Sequence, residues 1–287
     1  MNLFVAELWR CWSRRATKIV LILGFLLITG VMVWLTLRPQ FETKSTPQFS
    51  SCEFNPEGEP KDVCVIEGGE PVRVDQRIDL VDDLSDAMAG TGTALAVIGV
   101  LLGSTLLGAE FGAASLSTQL AYEPRRTRVW VTKAAAVAVA SAAVCAGLLV
   151  ILAGEMAAVA AARGITDGVD GGWLADRALE LGRLAAAGAL GALFGFGITG
   201  IARRTVAAIV AFLVMLAIVE PLLVNTFGWA EQRMPIMALT LFAFDPFVRD
   251  DGGGDFTSLA QTATVASVWI AAIVLIAGVI FRRSELR

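Results

Sequence analysis

Apolar residues in this chain fall in long unbroken runs separated by short polar stretches, a pattern that predicts helices crossing a membrane. A hydrocarbon core about 30 Å thick needs about 20 apolar residues in a helix rising about 1.5 Å each. Six runs fit: residues 19–37, 87–107, 134–160, 184–201, 205–224 and 263–281. The run "MPIMALTLFAF" at 234–244 is too short to cross, so 225–262 is expected to hold a re-entrant or surface helix. Residues 1–18, "MNLFVAELWRCWSRRATK", read as an amphipathic interfacial helix. Leu3, Phe4, Ala6, Leu8, Trp9 and Trp12 can share a broad face, with the Trp rings at headgroup level; Arg10, Arg14, Arg15 and Lys18 supply charge. After the first run the chain continues as "RPQF" with no small-residue cleavage pattern, which predicts a retained anchor and not a signal peptide. The expected class is therefore all-α, a polytopic membrane protein with six transmembrane helices.

Positive charge orients the spans. With the N-terminus cytoplasmic, the inner segments are 1–18, 108–133, 202–204 and 282–287; they hold 13 Lys and Arg and only four acids, Glu7, Glu110, Glu123 and Glu285. The outer segments then take most of the acids. The longest of them, 38–86, carries twelve acids against five basic residues and five prolines. Both termini are thus expected inside. Cys52 and Cys64 fall in that outer segment, where a disulfide can persist, and they are expected to pair; two free thiols in a disordered loop are the alternative.

Composition narrows the chemistry. The chain is 56% hydrophobic and 17% charged, with a net charge of −4 that suggests no nucleic-acid partner. It has no His, which removes HExxH metal sites and Ser-His-Asp triads together. No Lys follows a Gly, so the chain holds no P-loop, and no CxxC is present. Arg outnumbers Lys by 19 to 4 among abundant Ala, Val and Gly, a composition that hints at a GC-rich bacterial genome.

The stretch "GAEFGAASLSTQLAYEPRRTRVWVTK", residues 108–133, lies between the second and third spans. Gly99, Gly103, Gly108 and Gly112 lead into it with close to small-xxx-small spacing, which permits a close helix contact. Glu110 falls at the inner membrane edge. Leu116 and Leu120, with Ala113, can form one apolar stripe, Pro124 breaks the helix, and Arg125, Arg126, Arg128 and Lys133 are expected to anchor the next span to anionic headgroups. An ordinary positive-inside loop is the plainer reading of the same residues.

This segment resembles the signature region of ABC-2 type permeases, the membrane subunits of bacterial ATP-binding-cassette exporters. Glu110 matches the acid after the second span, Gly112 with Ser115-Leu116 the turn, Leu120 the Leu-rich stretch, Pro124-Arg125-Arg126 the basic element, and Lys133 the Lys entering the third span. The likeness is close over about 25 residues; "GAAS" stands where the family often has a Gly-Thr pair. The resemblance implies a permease subunit in a bacterial inner membrane, with 108–133 acting as a coupling helix. It would dock, with the N-terminal helix (Trp9, Arg10, Trp12, Arg14, Arg15), on a separate ATPase subunit. Two ATPase copies and a second permease copy or paralogue are implied. ATP and Mg would bind the partner, and this chain would be no enzyme and bind no cofactor of its own.

A membrane sensor or scaffold working through the 38–86 loop is the alternative function. Two acids lie in or near spans: Glu155, about 31 Å along a helix from Ala134, and Glu220, about 22 Å from Thr205. Each reads first as a structural or interfacial acid, with a substrate or proton site as the alternative. "RDDGGGD" at 249–255 lacks the spacing of a calcium loop and reads as an exposed turn. The fourth span, with Gly191 and Gly195 four apart, reads as a close-packing helix. Phe194, Phe196, Phe212, Met215, Phe242, Phe244 and Phe247 are candidates for an apolar path, though ordinary core or lipid-facing positions explain them as well.

Overall fold

The computed structural model describes residues 3–37, 80–112, 119, 121, 123, 125–164, 166, 168–227, 233–243 and 259–283. These are helical, with no strand among them. In chain order the helices are α1 (Leu3–Ser13), α2 (Arg15–Leu37), α3 (Leu80–Gly112), α4 (Arg126–Arg163), α5 (Gly171–Ala202), α6 (Thr205–Thr226), α7 (Pro235–Ala243) and α8 (Leu259–Arg283). Five of them, α3, α4, α5, α6 and α8, are long and apolar enough to cross a membrane. The run at 19–37 lies in α2, which meets the apolar standard only over the shorter stretch Thr17–Gly30. The chain is thus a helical protein of multi-pass membrane character.

The bundle is built around α5, which packs on α3, α4 and α8. Its Gly and Ala residues explain this position. Gly191 abuts the backbone of Ala96 and Gly195 that of Val100 on α3; in return Gly99 abuts Gly188 and Gly103 abuts Ala192. A Cβ at any of the four would fall inside contact distance of a backbone carbonyl. The seam is therefore backbone against backbone, the close approach that small residues allow in a bilayer. Close packing of the fourth predicted span is what these glycines serve. A Cβ on Gly112 would meet none of the described residues, so Gly112 takes no part in this seam.

Local signals set the ends of α5. Asp170 caps its N-terminus, accepting from the Trp173 amide at 2.7 Å. At its other end Arg203 takes a left-handed conformation (φ 56°) and its N–H reaches the Thr199 carbonyl at 2.7 Å. This tight turn sends α6 straight back, so Thr205 meets Gly108 on α3. Trp130, in the first turns of α4, is wedged between α5 and α8. Its ring lies 4.6 Å from Phe196 and 5.3 Å from Phe281, in spaces left by Gly200 and Gly278, and its indole donates to the Val274 carbonyl at 3.3 Å.

The phenylalanines do not form one path. Phe196 lies under Trp130, Phe194 packs edge-on with Phe212 at 6.1 Å in a separate cluster, and Phe242 packs at the opposite end of the bundle. Phe244, Phe247 and residues 249–255, read above as an exposed turn, lie outside the described residues.

Candidate functional site

At the end of the bundle where α1, α3 and α4 meet, five charged side chains converge. Glu7, Cys11 and Arg14 are spaced four and three apart, so they lie on one side of α1 and of the bend that follows it. That side faces inward: Glu7 and Cys11 are buried, while Trp9 is 76% exposed. The inward side of α1 and its bend is thus a charged one, carrying Glu7 and Arg14. Thr17 fixes the bend by donating to the Cys11 carbonyl at 2.7 Å.

Lys133 is the hub. Its Nζ lies 3.0 Å from Glu7 Oε2 and 2.8 Å from Glu110 Oε2, with the Lys133 and Glu7 side chains each 4% exposed and Glu110 8%. Arg14 completes the set, placing Nη2 2.6 Å from Glu110 Oε1 and Nη1 2.6 Å from the Leu106 carbonyl one turn earlier. The two buried acids and two bases cancel. Arg10, 3.3 Å from Glu7 and mostly exposed, adds positive charge at the rim. The expectation that Lys133 anchors its span to headgroups is overturned. Snorkelling to the surface would take the ammonium from two buried carboxylates, leaving Glu110 to Arg14 and Glu7 to the mostly exposed Arg10.

The loop expected to contact a partner is fastened to this cluster. Gln119 donates its side-chain amide to Glu7 Oε1. Of the other residues singled out there, Arg125 is exposed and Arg126 donates to the Arg282 carbonyl at 3.2 Å at the end of α8. Arg128 lies 3.5 Å from Glu123 in a largely exposed pair. Together they form a basic outer rim. Ala113, Ser115, Leu116, Leu120 and Pro124 lie outside the described residues, as do Cys52 and Cys64. Trp12 and Arg15 are exposed beside Trp9.

Cys11 reports on the site's seal. Burial pushes its thiol up to about 11, against the opposing pull of the Arg14 guanidinium. Alkylation at pH 7.5 is expected to be slow and to rise with pH as the thiolate forms. At fixed pH it is expected to rise in any variant that opens the cluster. Mass spectrometry of the alkylated Cys11 peptide checks this; rapid labelling of the intact protein at pH 7.5 would contradict it.

The two acids expected in or near spans stand elsewhere. Glu155 on α4 accepts from Thr29 Oγ1 on α2 at 2.5 Å. Glu220 accepts from the backbone N–H groups of Ile236 and Met237 at 2.8 and 2.9 Å. Neither joins the cluster. Sequence reasoning missed Glu7 and Gln119 as site residues. A signal for Glu7 was present: it is the one acid in an otherwise basic first segment, in helical register with Arg14.

Among the described residues no group of three or more Cys, Asp or Glu is placed to hold a metal ion. What the arrangement can do is mechanical. A buried ion network joins α1, α3, α4 and Gln119, so a force applied at Gln119 has a direct line of polar contacts to all three helices. Neither a known protein-family profile nor a curated protein sequence matches the chain.

Proposed function

We propose that the chain is the membrane-embedded permease subunit of an ATP-binding-cassette transporter, working as an exporter. A separate ATPase docks on the 108–133 loop and the N-terminal helix. In this reading α2 is the sixth span, both termini are cytoplasmic, and the charged end of the bundle faces the cytoplasm of a bacterial cell. Two permease copies, or this chain and a paralogue, pair with two ATPase copies. ATP and Mg bind the partner, and the buried network carries the partner's movement into α3 and α4.

The observation that carries this reading is the attachment of Gln119 to Glu7, and through Lys133 to Glu110. A positive-inside loop needs only exposed Lys and Arg. Here the loop is tied through buried charges to three helices, beneath a rim of exposed Arg10, Arg125 and Arg128. The resemblance over residues 108–133 supports the same reading.

Leu120→Asp places a charge on the expected apolar docking stripe. It is expected to remove ATPase association while membrane insertion persists. Gln119→Ala is expected to keep association and lower the coupled ATP hydrolysis. Co-purification and hydrolysis assays on the complex check both; unchanged association in Leu120→Asp contradicts the assignment of this loop.

A further inference from the structure

α6 changes its winding part-way along. It is α-helical over Thr205–Val214, a π-helix over Met215–Val219, and α-helical again over Glu220–Thr226. Pro221 explains the change. It has no N–H to give to the preceding turn and its ring crowds the carbonyl there, and a wider turn accommodates both. The effect is to aim Glu220. Ala208 and Phe212 face inward. Glu220 lies eight residues beyond Phe212, which at 3.6 residues per turn would rotate it about 80° off that face. The π turn takes up this excess: Glu220 is 5% exposed while Ile218 and Leu222 are about 60% exposed.

The carboxylate so aimed meets the first turn of α7. There the Ile236 and Met237 amides have no partner within their own helix, and Glu220 takes one on each oxygen. α7 packs on α8, α3 and α5. Its last residue, Ala243, sits on Gly92 of α3, toward the end of α3 away from Glu110. Trp269 of α8 donates to the Arg233 carbonyl at 2.7 Å just before α7 begins. α6, by contrast, leaves most of its surface uncovered; Val206, Val210, Leu213 and Leu222 are all exposed.

We propose that Glu220 is a latch: its carboxylate seats α7 on the bundle and ties it to the far end of α6, so that displacement of α6 releases α7 from the α3–α5 seam. Glu220 is a positioning residue. Calling the released α7 a gate rests on the transporter reading; the latch itself does not.

The test uses the full chain without any ATPase, so its failure is distinct from failure of ATPase association. In nanodiscs, hydrogen exchange of the unmodified protein is expected to show the Ile236 and Met237 amides protected. Exchange there at the rate of free amides overturns the latch, with no variant needed. Next, Leu239→Cys is placed in a chain whose Cys52 and Cys64 are Ser, and labelled with a membrane-impermeant maleimide. Labelling is expected to be slow with Glu220 and at least about tenfold faster with Glu220→Gln, the loss of a charged acceptor from two amides. Cys145, fully buried on α4 against Leu95 of α3 and Gly188 of α5, is expected to stay unlabelled in both. Equal rates at position 239 with Glu and Gln overturn the proposal.

Discussion

Lys133→Met is expected to destabilise the protein by about 3–5 kcal/mol, the cost of removing one partner from a buried ion network and stranding the others. The groups that lose the ammonium are Glu7 and Glu110, both held within 3.0 Å of it; Glu110 keeps Arg14, while Glu7 keeps Gln119 and the mostly exposed Arg10. The effect should not be confined to stability. α1, α3 and α4 lose their common tie, so Cys11 should become reactive and any ATPase bound at the loop should be lost. The double variant Glu7→Gln, Lys133→Met is the informative companion. It removes one buried charge of each sign and leaves Glu110 paired with Arg14, so it is expected to recover much of the stability. It is not expected to recover coupling. Thermal unfolding in detergent and alkylation of Cys11 read the first effect, and ATP hydrolysis by the complex reads the second. If Lys133→Met unfolds at the wild-type temperature, the network has no structural weight.

Gly103→Val is expected to cost about 3 kcal/mol or more, at the upper end for overpacking. The obstacle is the Ala192 backbone, which no rotamer change can move aside. α3 and α5 would have to separate, and that seam is the centre of the bundle. Gly154→Ala is the control. Gly154 has open space around it inside α4, so the change is expected to stabilise by about 0.5–1 kcal/mol through helix propensity. Resistance to unfolding in detergent measures both. Equal tolerance of the two changes would mean that α3 and α5 do not meet at Gly103.

The helices were legible because a bilayer leaves backbone polar groups no partner but their own helix, so apolar run length translates directly into structure. The α3–α5 seam was legible for a similar reason. Spaced glycines have few other uses in a span, and Gly99, Gly103, Gly191 and Gly195 all meet backbone. The charged site was legible only in part. Glu110 stood out by position, but Lys133 looked like any cation at a membrane edge. What turns it inward is the pair of acids brought by α1 and α3, 126 and 23 residues away in sequence. Such convergence leaves no local pattern. Glu220 shows the same limit differently. Its place on a span was readable. Its partners, though, lie on α7, across a connection whose path the sequence does not give.

Affinity purification of the chain in mild detergent, with identification of whatever accompanies it and an assay of ATP hydrolysis, decides whether this chain is a transporter subunit. A stoichiometric ATPase partner is expected, and it is expected to be lost in Leu120→Asp and in Lys133→Met. Purification of the intact chain with no ATPase, or with an ATPase held equally well by both variants, would contradict it. The 108–133 segment would then be an ordinary positive-inside loop, and the 38–86 loop would become the place to look for a partner.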